Sequence, residues 1–417
     1  MKRWVVSLLL VFIGINSAFA AGVKIDKYEK LKIFARVMTI INQDYVDKVN
    51  DVKLIDNAIK GMVSSLDPHS SYMTRDEYKE LKITTTGKFG GLGIEITIKD
   101  GVLTVVAPIE DTPAYRAGIK PHDMIIKING KSTLGMSLQD AVKLLRGKPG
   151  TKVTITILRG KNSKPFNVTI TRAIIHVKSV KFKKIDNIGY LRISQFQQGT
   201  TQEVKNALKK LKGIKGLVID LRNNPGGLLQ EAIGVSDLFI KKGVIVSIRG
   251  RNKSNTQYFY ATNDGDEPTY PIVVLINSGT ASAAEIVSGC LKDDKRALIM
   301  GVRSFGKGSV QTIIPLPDGS ALRLTTARYY TPDGKSIQAV GIEPDIVVKQ
   351  AKLTEETTGF TLREQNLIHH LLGPKQSKSE YSKKDIEKML KNDYQLLRAV
   401  QLVKALVKAK NIVCQAK

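Results

Sequence analysis

The stretch INSGTASAAEIVSG (residues 276–289) joins two different periodicities. Before it, PIVVLIN (271–277) is a continuous apolar run, the pattern of a strand buried on both faces. After it, SAAEIVSGCLKD (282–293) carries apolar residues at helical spacing. A strand passing through small residues into a helix is the repeating step of an α/β sheet. The carboxyl end of such a strand is where these sheets place their sites. Three serines lie here, Ser278, Ser282 and Ser288. Ser282 and Glu285 have the S-x-x-E spacing of a capping box, and an acid near a helix N-terminus is favoured by the dipole. A capped helix and a serine nucleophile are both compatible with these residues.

The same rhythm extends outward. IGYLRIS (188–194), KGLVIDLR (215–222) and ALIMG (297–301) have the composition of buried strands in a largely parallel sheet, and TQEVKNALKKLK (201–212) and LLQEAIGVSDLFI (228–240) that of the helices between them. Residues 86–172 differ. GIEITI, GVLTVVA and TKVTITILRG are short strands, Asn129-Gly130 is a hairpin-turn signal, and SLQDAVKLLRG is an amphipathic helix with Ser137 as N-cap. This order predicts a small, mainly β domain of about five strands and two helices. Residues 25–80 and 351–417 are helical in pattern, and YQLLRAVQLVKALVKA (394–409) has an apolar stripe that must pack on the core or on a second subunit. The expectation is a multidomain α/β protein divided into a leader (1–20), a helical region (21–85), the mainly β insert (86–172), the α/β core (173–350) and a helical tail (351–417).

Lys2 and Arg3, the apolar run from Trp4 to Ile15, and Ala18-Phe19-Ala20 form the three parts of a secretory signal peptide, with a mature chain beginning near Ala21. Retention of the segment as an anchor is the alternative. Export places the chain in the periplasm or cell envelope. Two cysteines, Cys290 and Cys414, leave a disulfide undecided, and Cys290 has the surroundings of a small buried hydrophobe. The formal charge is +27, which suits an anionic neighbour. The lysines are scattered, however, and no nucleic-acid-binding motif accompanies them, so specific nucleic-acid binding is not expected. The adjacent His369 and His370 lack the carboxylate or cysteine spacing of a metal site, and His69 in DPHSS suits a locally bonded loop. No metal or cofactor is implied.

Gly301-x4-Gly306-Lys307 approaches a phosphate-binding loop. It has Gly308 where a magnesium-holding Ser or Thr belongs, and SVQTIIPL after it is a strand rather than a helix. On a strand extended back to Lys307, alternation puts Lys307, Ser309 and Gln311 on one face. A desolvated lysine becomes a neutral amine able to take a serine proton, and Gln311 could orient it. DLRNNPGG (220–227) ends a buried strand in a glycine turn, which lets a backbone N–H approach a substrate oxygen.

With SLDPHSSYM (65–73), GGLGIEI (90–96), DLRNNPGG (220–227), NSGTASAAEI (277–286), SFGKGSVQ (304–311) and YYTPDGKSIQAVGIEPD (329–345), the chain resembles the carboxyl-terminal processing, or tail-specific, proteases across nearly its whole mature length. The resemblance implies an exported serine endopeptidase that cleaves proteins near their C-termini. It implies Ser282 as nucleophile, Lys307 as general base, Gln311 as the orienting residue, and an oxyanion hole from the N–H of Ala283 with that of Gly226 or Gly227. Ala284 departs from the pattern, since many relatives carry a second serine there; it is not the nucleophile position. The insert resembles a PDZ domain, with Gly91, Leu92, Gly93 and Ile94 in its carboxylate-binding loop. The partners implied are protein substrates with accessible, apolar C-termini, a second copy of the chain, and an adaptor or envelope surface. The rival readings are a non-enzymatic peptide-binding adaptor and a vestigial protease fold.

Overall fold

The computed structural model describes residues 26–160, 163–252, 256–351 and 389–415. The expected leader, the His369-His370 pair and the Cys414 side chain lie outside these residues. The chain divides after Tyr72 into two compact units. The first contains the helices Lys27–Asp44 and Asp51–Ser64, whose N-caps Asp26 and Asn50 accept from Tyr28 and Lys53 N–H. Leu31, Phe34, Val37 and Ile40 of the first helix are exposed.

The second unit is built on a six-stranded sheet in the order Val180–Ile185, Ile188–Ile193, Gly216–Asp220, Ile272–Ile276, Leu298–Gly301 and Ile346–Val347. The first pair is antiparallel and every later pair is parallel. Period-two alternation divides the side chains between two cores. Leu217, Ile219, Val274 and Ile276 face Val204, Val235, Ile286 and Val287 of the helices Thr200–Lys210, Leu229–Asp237 and Ala283–Asp293. Val218, Val273 and Leu275 face Leu396, Ala399, Val400 and Val403 of the tail helix Tyr394–Gln415. The apolar stripe read in the tail therefore packs on the α/β core. Cys290 is a buried free thiol, and burial pushes its pKa up.

A second, antiparallel set of strands was not foreseen as a sheet. Gln257–Tyr260, Val244–Gly250, Ala321–Tyr330 and Ser309–Pro315 pair in that order. The insert has the expected mainly β form, with Ile94–Lys99, Val102–Pro108, Met124–Ile128, Lys152–Leu158 and Phe166–Thr171 in antiparallel succession. Asn129 and Gly130 both have positive φ, 49° and 80°, as an Asn-Gly hairpin requires. The ribbon Lys88–Gly91 with Ala173–His176 joins the two ends of the insert, and the helix before it, Arg75–Thr86, stops at Gly87 with φ 64°.

Gly216 shows how tightly the tail is seated. A Cβ there would lie 2.2 Å from Val403 Cγ1 and 3.3 Å from Ile188 Cδ1. Gly216→Ala is therefore expected to destabilise the protein by about 1–3 kcal/mol through overpacking. Adding Val403→Ala should recover part of that loss, although Val403→Ala alone creates a cavity. Urea titration of the three variants checks this, and purely additive losses would show that the tail does not press on Gly216.

Candidate active site

Ser282 occupies the last position before the helix Ala283–Asp293, at φ 55° and ψ −116°. For a residue with a Cβ this backbone costs about 1–3 kcal/mol and persists only where the surroundings hold it. Here a buried carboxylate holds it. Glu285 is fully buried. Its Oε2 accepts from the N–H of Ser282 and from the N–H of Lys307, each at 2.8 Å. Its Oε1 accepts from Gly306 N–H at 2.7 Å and from Ser304 Oγ at 2.5 Å. Because Ser282 and Lys307 share one oxygen, their backbone nitrogens stand within about 6 Å of each other. Ser304 Oγ in turn accepts from Ile342 N–H at 2.6 Å, which brings the GIEPD segment to the same point. Glu285 is thus more than the partner in a capping box. It fastens the serine turn to the lysine loop.

Lys307 lies in that loop, before the strand Ser309–Pro315 begins. The expectation that it shares a strand face with Ser309 and Gln311 is corrected accordingly. The loop is fixed by Glu285 on one side and by Gly308 N–H donating to Gln338 Oε1 at 3.1 Å on the other. No helix follows, so the chain there is not a phosphate-binding loop. Lys307 is half-buried, and its pKa is lowered, first by desolvation and then by the charge of Arg323, against an opposing pull from Glu285. Arg323 is on the strand paired with Ser309–Pro315, and its Nε is buried without a partner among the described residues. Gln311 Nε2 donates to Ser309 Oγ at 2.8 Å and to Thr325 Oγ1 at 3.3 Å. It is placed beside the loop, and no bond to Lys307 is present among the described residues. Ser288 Oγ is turned back onto the Ala284 carbonyl inside the helix.

The glycine turn meets the serine turn directly. Ala281 N–H donates to the Asn224 carbonyl at 2.9 Å, and Thr280 Oγ1 donates to the Leu221 carbonyl at 2.8 Å. A Cβ on Gly226 would lie 2.8 Å from Ser282 Cβ and 2.9 Å from Ala283 N. Gly226 N–H is already engaged by Asn224 Oδ1 at 2.9 Å. The N–H groups of Gly227 and Ala283 have no acceptor among the described residues. Two free donors therefore flank the serine, one from the glycine turn and one from the helix N-terminus.

In the insert, Gly91, Leu92, Gly93 and Ile94 line a groove of about 90 Å³ with Val142 and Leu145 of the helix Leu138–Leu145. The neighbouring strand Ile94–Lys99 is at the end of its sheet. The N–H groups of Leu92 and Gly93 have no acceptor among the described residues. Gly93 has φ 79°, and a Cβ there would strike Thr112 at 2.3 Å. Among the described residues no group of three or more His, Cys, Asp or Glu is placed to hold a metal ion.

Sequence reasoning took Glu285 as a cap and missed both Arg323 and Asn224. An acid amid AAEIV was the available signal for Glu285, since its neighbours on both sides belong to a buried helix. Glu285→Gln retains the shape but turns an amide N–H₂ toward donors. It is expected to cost on the order of 3 kcal/mol, given that hydrogen bonds to charged groups are worth about 1.5–3 kcal/mol each and are not additive. Denaturant unfolding measures this; a loss below about 0.5 kcal/mol, the level of ordinary surface changes, would show that the carboxylate does not hold the two loops.

Comparison with known proteins agrees with this architecture. Residues 187–348 match peptidase family S41, residues 104–159 match the PDZ domain, and residues 16–77 match the activating protease CtpB N-terminal domain. A carboxy-terminal-processing protease of Bartonella bacilliformis is 47% identical over 388 residues, covering 91% of this chain and 89% of that protein. Among solved structures, the photosystem II D1 C-terminal processing protease is 31% identical and covers 76% of this chain and 92% of its own, with a TM-score of 0.46. The chain belongs to peptidase family S41, among the C-terminal processing serine proteases, and carries a PDZ domain.

Proposed function

We propose that this protease is exported and cuts its substrates near their C-termini with Ser282 as nucleophile and Lys307 as general base. The observation that supports the assignment best is the single Glu285 oxygen shared by the N–H groups of these two residues. The neutral Lys307 amine takes the hydroxyl proton as Ser282 Oγ attacks the scissile carbonyl carbon. The N–H groups of Ala283 and Gly227 receive the oxyanion. The lysine then returns the proton to the leaving amine as the C–N bond breaks, and water releases the acyl group by the same steps in reverse order. Gln311, bonded to Ser309 and Thr325, supports the strand that leads out of the lysine loop. Lys2, Arg3 and the apolar run after them support export.

In the same reading the PDZ groove takes the free C-terminus of the substrate. The N–H groups of Leu92 and Gly93 receive the carboxylate, the edge of Ile94–Lys99 pairs with the extended chain, and Val142 and Leu145 favour an apolar last side chain. The exposed apolar face of Lys27–Asp44 is compatible with a second copy of the chain.

Ser282→Ala and Lys307→Ala are each expected to lower kcat by on the order of 10⁴-fold or more, and the double variant by little more, because the pair acts as a unit. Undiminished cleavage by either purified single variant would reject the assignment. Cleavage should fall at low pH as Lys307 gains a proton. Arg323→Gln removes a cation that favours the neutral amine, so the acid limb of the pH profile should move to higher pH; an unmoved limb would separate it from Lys307. For the groove, a peptide with a free apolar C-terminus should bind about tenfold to hundredfold more tightly than its amide, the worth of one charge-assisted hydrogen bond. Fluorescence anisotropy on the Ser282→Ala protein measures both, and equal affinities would exclude a carboxylate receptor.

A further inference from the structure

The glycine turn that supplies Gly227 begins at Arg222, and Arg222 is gripped from two directions. Asp220 is fully buried. It accepts from Arg222 N–H at 3.0 Å, from Nε at 2.9 Å and from Nη2 at 2.7 Å. The same carboxylate also accepts from Arg192 Nη1 at 3.0 Å and from the Tyr190 hydroxyl at 2.8 Å. The other side of the guanidinium faces the tail. Nη1 donates to Asp393 Oδ1 at 2.8 Å and to Gln395 Oε1 at 3.1 Å, and Nη2 donates to Asp393 Oδ2 at 2.7 Å. Every guanidinium nitrogen is used, in two bidentate forks that fix the plane of the group.

Charge explains why the tail is needed. Arg192, one-third exposed, and the buried Arg222 converge on Asp220, and one carboxylate does not balance both guanidinium groups. Asp393 supplies the second negative charge. It is also the cap of the tail helix: its Oδ1 accepts from Leu396 N–H at 3.1 Å and its carbonyl from Leu397 N–H at 2.9 Å. Docking of that helix and closure of the ion network are therefore one event at one side chain.

We propose that Asp393 is a positioning residue for catalysis. Through Arg222 it sets the root of the 223–227 turn and hence the position of the Gly227 N–H at the oxyanion. This proposal rests on the assignment of Ser282 and Gly227 given above. The turn is also tied to its neighbours by Asn223 N–H to Asn277 Oδ1 and Ala281 N–H to the Asn224 carbonyl, each at 2.9 Å. The backbone on either side of Gly227 is tied by Phe196 N–H to the Gly226 carbonyl at 2.9 Å and Leu228 N–H to the Phe196 carbonyl at 2.7 Å. The Arg222 side chain is the point at which the tail helix reaches the turn. Asp393 controls its base from a segment 171 residues away. The tail thus acts on rate, and a protease whose tail helix is undocked holds substrate with a displaced oxyanion donor.

Asp393→Ser tests this, because serine caps a helix as well as aspartate does but cannot reach Arg222 with a bidentate charge. The expected result is a kcat lower by about 10- to 100-fold, the cost of a small misplacement at the reacting centre, with KM within twofold of wild type. Hydrogen exchange should rise in 222–228 while 396–410 stays protected. Asp393→Glu, which keeps the charge and the fork, should return most of kcat; Asp393→Asn serves for the same comparison if the serine variant does not fold. Wild-type kcat in Asp393→Ser, or a fall in kcat that follows the loss of folded tail helix, would overturn the proposal. Ser282→Ala is measured in parallel: cleavage by that variant would reject the catalytic assignment itself, whereas an inactive Ser282→Ala beside a fully active Asp393→Ser would reject only the role of Asp393.

Discussion

A single buried carboxylate organises the candidate active site of this molecule. Glu285 takes four donors from two places in the chain: one from the serine turn and three from the 304–307 loop. An unpaired carboxylate in such a place would be prohibitively costly, whereas one with every donor supplied is strongly held. The same constraint keeps Ser282 in a backbone conformation that a free chain avoids. Local strain at the serine and the long-range position of the lysine therefore have one cause.

The sheet beneath makes that arrangement rigid. Alternate residues of Gly216–Asp220 and Ile272–Ile276 go to opposite cores, and helices cover both faces. The two turns that form the candidate site leave adjacent parallel strands at their carboxyl ends. They are then tied to each other by Ala281 N–H to the Asn224 carbonyl and by Thr280 Oγ1 to the Leu221 carbonyl. Electrostatic stabilisation of an oxyanion requires donors that do not reorganise during reaction. In the proposed mechanism these donors are the backbone N–H groups of Ala283 and Gly227, which belong to the two tied turns.

Much of this was legible in the sequence, for definite reasons. Ile272–Ile276 in PIVVLIN and Leu217–Ile219 in KGLVIDLR are unbroken apolar runs because both faces are covered, and Asn129-Gly130 announces its turn because both residues adopt positive φ. The glycines at 226 and 227 were recognisable as a close-approach turn. What was not legible depends on partners distant in sequence. SVQTIIPL has the composition of a strand, but extending it back to Lys307 fails because Glu285 and Gln338 hold residues 306–308 in a loop, so the strand begins only at Ser309. Arg323, on the strand paired with Ser309–Pro315, carries a charge that disfavours protonation of Lys307 in the loop before that strand. Asp393 meets Arg222 only after the tail crosses the back of the sheet. No local pattern signals any of these three long-range interactions.

The claim that one carboxylate joins the serine turn to the lysine loop is tested most directly by native-state hydrogen exchange at the amides of Ser282, Gly306 and Lys307. The account predicts that the three exchange as one protected unit in the wild-type protein and that Glu285→Gln releases all three together while the amides of Ile272–Ile276 remain protected. Independent exchange of Ser282 and Lys307 in the wild type, or release of only one of them by the substitution, would contradict it.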